Sequence, residues 1–194
     1  MTLDKMKLSG VTALIVDSDA FAVDLLTQML RGLGLNTPKV VDSAAAAKAA
    51  MSLNTYDLCI CEAELSDCSG AELIKWIRAQ KAPLKYLPVL VATGYSYLHN
   101  ITALRDAGAH LIVRKPLSGQ MLYDRIAWLA NPSRSFLETD MYTGLDRRFR
   151  SMGPPDGDGR RDTDLSGDIG EATEPNLSQA EIDAMMRPTK VATI

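Results

Sequence analysis

Five short, largely apolar runs, each followed by a stretch with helical spacing, constrain this chain more than any other feature. Residues 11–16, 39–41, 58–61, 89–92 and 111–113 read as strands. Residues 21–30, 43–53, 71–80, 101–107 and 119–130 carry apolar side chains at helical spacing. Asp19 or Ser18 is placed to cap the first helix, Asp42 or Ser43 the second, and Gly108 closes the fourth. Strands that are apolar on both sides have no face to give to water. They predict an α/β fold, a parallel sheet with helices on both faces. Such sheets bind their ligands beyond the carboxyl ends of the strands.

The remaining bounds are mild. With 194 residues, 46% of them hydrophobic, the chain can bury one good core and has sequence to spare. A net charge of -3 argues against binding a nucleic-acid polymer. No apolar run is long enough to cross a bilayer, and the polar start MTLDKMKLSG does not read as a signal peptide, so a cytoplasmic protein is expected. Cys59 and Cys61 alternate on one strand and share a face, and Cys68 follows in a turn. No histidine lies near them in sequence, so buried thiols are expected and no metal site. Beyond Asn131-Pro132 the composition turns to Gly, Pro, Asp and Arg with few aliphatics. The expected organisation is a globular domain over 1–131, a disordered arginine-rich segment over 132–176, a conditional helix over 177–187 and a terminal tail over 188–194.

Several motifs together resemble the receiver domain of bacterial two-component response regulators, over residues 11–130. LIVDSDA carries an acid, Asp17, after the first strand. PVLVATG places Thr93 after the fourth, and IVRKPL places Lys115 and Pro116 after the fifth. Gly70 matches the glycine that opens the third helix. The resemblance implies a flavodoxin-like sheet of order 2-1-3-4-5 and a cis bond before Pro116. It also implies an acceptor aspartate after the third strand, where this chain has Glu62. The family's adjacent acidic pair is Asp17 and Ser18 here, and its aromatic residue on strand five is Ile112. Asp17, Ser18, Glu62, Thr93 and Lys115 are therefore expected to form a degenerate phospho-acceptor site that holds Mg²⁺ poorly. Two readings of Glu62 stay open. It forms a partly buried ion pair with Lys115, or its longer carboxylate mimics the phosphorylated state.

The segment YTGLDRRFRSMGPPDGDGRRD, residues 142–162, carries two arginine pairs with flanking Asp, Gly and Tyr. Guanine offers O6 and N7 to an arginine fork, its N–H groups suit a carboxylate, and its faces stack on guanidinium or Tyr planes. The segment resembles the arginine-rich tails of chemotaxis-regulator-like receivers that bind cyclic di-GMP and act at the flagellar motor. The matching residues are Tyr142, Gly144, Asp146, Arg147, Arg148, Gly153, Pro154, Arg160, Arg161 and Asp162, with Leu145 where a proline is expected. That resemblance implies Tyr142 stacking on the base, Asp146 and Asp162 taking guanine N–H groups, and Arg147, Arg148, Arg160 and Arg161 holding base edges and phosphates. It implies cyclic di-GMP as the ligand, and no other cofactor is expected.

LSQAEIDAMM, residues 177–186, holds a capping box at Ser178 and Glu181, with Leu177 and Ile182 at staple positions. Ile182, Met185 and Met186 form an apolar stripe. So short a helix needs a groove to fold on. Through Leu177, Ser178, Gln179, Glu181, Ile182, Asp183 and Ala184, with Met185 and Met186 in place of leucines, it resembles the N-terminal peptide of the flagellar switch protein, to which chemotaxis regulators dock. That implies docking on the face of helix four, strand five and helix five, in cis or on another receiver. The face includes Ala103, Ile112 and Arg114, the last available to Glu181 or Asp183. The expected function is a non-catalytic signalling effector that binds cyclic di-GMP and docks to the flagellar motor switch or a related receiver network. A phosphorylation-responsive receiver and a plain interaction adaptor are the alternatives.

Overall fold

The structure, a computed structural model, describes residues 8–94, 96–130, 136–139, 142–145, 148–149, 176–186 and 189–190. Five strands, β1 (Ala13–Val16), β2 (Lys39–Val41), β3 (Leu58–Cys61), β4 (Val89–Thr93) and β5 (Leu111–Arg114), pair in parallel in the order β2-β1-β3-β4-β5. Between and after them run α1 (Ala20–Gly32), α2 (Ala44–Leu53), α3 (Gly70–Arg78), α4 (Leu98–Asp106) and α5 (Gly119–Leu129). The alternation of side chains along each strand divides the core in two. Leu14, Val16, Cys59, Cys61, Val89, Val91 and Ile112 face α2, α3 and α4. Ala13, Ile15, Leu58, Ile60, Leu90 and Val113 face α1 and α5. Both faces of β1, β3, β4 and β5 are buried, which is why these four read as continuous apolar runs, whereas β2 at the border is largely exposed.

The starts of α1, α2, α3 and α5 each carry a side-chain cap. Asp19 accepts from the Phe21 and Ala22 amides at the head of α1. Ser69 and Glu72 close a capping box on α3, and Ser118 caps α5. The start of α2 has a second, distant cap. Besides Ser43, Asp67 of the β3–α3 loop accepts from the Ala44 and Ala45 amides at 2.7 and 2.8 Å. Those amides hold the Asp67 carboxyl below its ordinary range. The thiols of Cys59 and Cys61 are buried on one strand face, and Cys68 is partly buried.

One element departs from expectation. Within the segment 132–176, for which composition predicts no order, β6 (Phe136–Thr139) and β7 (Tyr142–Leu145) form an antiparallel hairpin. It packs at the end of the sheet opposite the strands' carboxyl ends. The Phe136 ring meets Tyr86 edge-on at 4.9 Å, and the Arg78 guanidinium lies 5.7 Å from its centre. Glu138 pairs with Lys85 at 2.6 Å. Few residues are needed, because Phe136 finds a ready-made aromatic and cationic seat. A further pair of two-residue strands, β8 (Arg148–Phe149) and β9 (Thr189–Lys190), runs parallel.

Gly108, at φ +97°, sets how closely the hairpin approaches. A Cβ there would run into the Thr143 carbonyl. Gly108→Ala adds backbone strain to that clash, and should lower stability by about 1–3 kcal/mol. Faster amide exchange across residues 136–145 should accompany the lower melting temperature. Unchanged exchange would show that the hairpin does not rest on Gly108.

Candidate functional site

The expected site residues converge at the carboxyl ends of the strands. Asp17 follows β1 and is 6% exposed. Glu62 follows β3, its amide donating to the Val16 carbonyl at 3.0 Å. Thr93 ends β4 fully buried, and its carbonyl accepts from the Lys115 amide at 2.8 Å. The bond between Lys115 and Pro116 is cis. Gly70 lets α3 begin tight against the loop that carries Glu62, since a Cβ there would crowd the Glu62 and Ala63 carbonyls.

One cation binds two anions at the centre. Lys115 Nζ donates to Asp17 Oδ2 and to Glu62 Oε2, each at 2.7 Å. The other carboxylate oxygens also have donors. Asp17 Oδ1 accepts from the Asp19 amide at 2.9 Å, and Glu62 Oε1 from the Ala63 amide at 2.7 Å. Ser18 is exposed, and the Asp19 carboxylate is spent on capping α1. Glu62 thus forms a partly buried ion pair with Lys115, which Asp17 shares, and a carboxylate reaching Lys115 is common to both readings of Glu62.

Burial opposes a charge on Lys115, yet the hydrogen bonds and charges of Asp17 and Glu62 outweigh it, so its pKa rises above the ordinary 10.5. A group whose folded pKa is raised gives stability that is complete below the unfolded value and is lost as pH rises through the folded one. The triad should therefore hold unchanged through neutral pH and weaken only above pH 10.5. Melting temperatures taken on both sides of that value check this. Lys115→Met should remove that alkaline component.

The arginine-segment residues are placed less completely. Tyr142 is half-buried in β7, beside Gly144, and close enough to Arg78 to act on its charge. Arg148 lies in β8. Asp146, Arg147, Arg160, Arg161 and Asp162 lie outside the described residues, as do Gly153 and Pro154.

The terminal helix α6 (Gln179–Met186) lies against β5 and α4 of its own chain. Its capping box forms. The Ser178 amide donates to Glu181 Oε2 at 2.7 Å, and the Glu181 amide to Ser178 Oγ at 3.3 Å. Ile182 is fully buried in the cluster of Ile101, Leu104 and Ile112, with Leu177, Met185 and Met186 packed around it. The expected partner of Arg114 is corrected. Glu181 is engaged by its own cap, and Asp183 reaches Arg125 of α5 at 2.7 Å. Arg114 Nη1 donates instead to the Leu177 carbonyl at 3.3 Å.

Sequence reasoning placed Gln179 in the matched docking peptide without a role, and missed Ser96, Asn176 and Arg125. Gln179 Oε1 accepts from the Arg114 amide at 2.7 Å, and its Nε2 donates to the Ile112 carbonyl at 3.2 Å. The Ser96 amide donates to Asn176 Oδ1 at 3.1 Å, and Ser96 Oγ to the Leu177 carbonyl at 2.8 Å. The cap, the staple and the apolar stripe were visible in the sequence, and the partners of the polar side chains were not. These polar contacts span 58–81 positions of chain. A cleft of about 320 Å³ beside the site, between α1 and the β5–α5 loop, is lined by Phe21, Leu25, Met29 and Leu117 among others.

A doubly covered parallel sheet with acids after β1 and β3, a threonine after β4 and a Lys-Pro after β5 defines a signalling domain of the two-component class. Residues 13–127, more than half of the chain, match the response regulator receiver domain. The chain belongs to that family. It is 27% identical over 113 residues to the chemotaxis protein CheY of Pseudomonas aeruginosa, covering 58% of this chain and 90% of that one. The same identity over the same length relates it to CheY-3 of Vibrio cholerae, with 86% of that chain covered. Among solved structures, a putative response regulator from Chloroflexus aurantiacus is similar with a TM-score of 0.57 and 31% identity, over 61% of this chain and 96% of that one. Among the described residues, no helix is long and apolar enough to cross a membrane.

Proposed function

We propose that this chain is a non-catalytic signalling effector, a pseudo-receiver that responds to cyclic di-GMP rather than to an aspartyl phosphate. The observation that carries the reading is the Lys115 ammonium, bound at 2.7 Å by both Asp17 and Glu62. Mg²⁺ asks for near-octahedral oxygen donors. Here two carboxylates share an ammonium, a serine replaces the second acid of the family's pair, and Asp19 caps a helix. That donor set fits Mg²⁺ poorly. Glu62 also carries its carboxylate one methylene beyond where an aspartate would.

The ligand is then taken by the arginine segment. Arg147, Arg148, Arg160 and Arg161 bind guanine edges and phosphates, Asp146 and Asp162 take guanine N–H groups, and Tyr142 supplies a ring at the segment's start. The output is docking, at the flagellar motor switch or another chemotaxis receiver, in keeping with the chemotaxis proteins to which the chain is similar.

Two measurements test this. Calorimetry with cyclic di-GMP should give saturable heat, and Arg148→Ala should weaken binding by about 1–3 kcal/mol if it makes a bidentate guanine contact. Beryllofluoride with Mg²⁺ should leave the amide resonances around Thr93 and Lys115 in place. Absence of heat removes the nucleotide and leaves an interaction adaptor. Saturable shifts at Thr93 instead establish a phosphorylation-responsive receiver.

A further inference from the structure

We infer that α6 is a built-in competitor for the face it covers: the α4–β5–α5 face is a groove for a short capped helix, and an outside helix enters only after α6 has left. The inference goes beyond the nucleotide reading and stands without it. It deepens the docking output by making that output conditional.

The groove is built from three kinds of contact. The first is an apolar socket, in which Ile182 has no exposure, between α4 and β5. The second is the outer side of β5. This strand ends the sheet, so its outward amide and carbonyl groups have no neighbouring strand. The Gln179 carboxamide meets two of them at once, accepting from the Arg114 amide and donating to the Ile112 carbonyl. One side chain thus stands in for a peptide unit of a sixth strand. The third is a pair of polar clamps at the two ends. Ser96 grips the helix start, where the Leu177 amide donates to the Ser96 carbonyl at 2.9 Å. Arg125 holds Asp183 further along.

These contacts specify the partner's chemistry. It is a helix with a Ser-type cap, Gln at the first position, an aliphatic residue at the fourth and a carboxylate at the fifth. An apolar helix without the carboxamide would leave the Arg114 amide and the Ile112 carbonyl unmet. A helix of eight residues is marginal alone, so α6 exists as a helix by virtue of the groove. Being tethered, it competes at an effective concentration on the order of millimolar. A free helix of the same chemistry must displace it.

The test uses the full chain and a fluorescent peptide of residues 176–187 at dilute protein. Ile182→Asp and Asp183→Arg alter α6 and leave the groove residues intact. The peptide should bind either variant about tenfold or more tightly than it binds the unaltered chain. The Arg114 amide should exchange slowly in the unaltered chain and quickly in Ile182→Asp. Equal peptide affinity for altered and unaltered chains, binding to none of them, or an Arg114 exchange rate indifferent to Ile182→Asp would each overturn the inference. So would a dimer in dilute solution that trades α6 between copies. If the cyclic di-GMP titration is blank while these results hold, the nucleotide reading alone fails.

Discussion

Arg78→Ala should destabilise the domain by about 3–5 kcal/mol, the range for disrupting a buried charged network. Arg78 is 6% exposed at the end of α3. Among the described residues no carboxylate pairs with it. Its Nε and Nη2 donate to the Gly108 carbonyl, its Nη1 to the carbonyls of Lys85 and Leu87, and Nη2 also meets His110 Nδ1 at 2.9 Å. Burial pulls its pKa down to about 10, yet it stays protonated at neutral pH. His110 Nδ1 also accepts from the Val89 amide at 3.2 Å, so the neutral ring carries its proton on Nε2. Removing the guanidinium leaves three carbonyls without this donor, opens a void, and takes the cation from beneath Phe136. Arg78→Lys should recover little, because one ammonium lacks the planar fork that reaches three carbonyls on two connections at once. Chemical denaturation measures the loss. Hairpin amide exchange should rise in parallel, and a cost under about 1 kcal/mol would mean that water replaces the fork.

Lys115→Met should show the second large effect, about 3 kcal/mol at neutral pH, near the lower end for a broken buried pair because Lys115 and Glu62 keep some solvent contact. With the ammonium gone, Asp17 and Glu62 are left partly buried and close together without the cation that both now bind. Glu62→Gln in the same background should restore much of the neutral-pH loss. Urea titrations of the single and double variants measure this, and a double variant no more stable than Lys115→Met would refute the uncompensated pair.

The sheet was legible because its signals are local and agree: apolar runs the length of strands, cap residues ahead of helices, Gly108 behind one. Lys115, Glu62 and Asp17 could be placed together because strand ends converge in such a fold. The hairpin was not legible. Phe136 and Tyr142 sit among Gly, Asp and Arg, and their order comes from Arg78, Tyr86 and Gly108, which local pattern cannot connect to them. Arg78 itself reads as a surface charge at a helix end, and only the fold reveals the carbonyls around it. The helix over 177–186 announced its cap and stripe, but Gln179 and Arg125 took their roles from residues more than fifty positions away.

The seat of Gln179 on β5 bears on how this protein behaves in concentrated solution. A sheet that ends in a bare strand is a template for the strand of a neighbouring molecule, and proteins blunt such borders with charge, brevity or a cover. At the other border β2 is three residues long and begins with an exposed lysine. At β5 the cover is α6. Every event that lifts α6 to free the face for a partner also bares the edge of a four-residue strand, three of whose residues are apolar. Signalling competence and stickiness therefore rise together, and the released form should be the one that precipitates first.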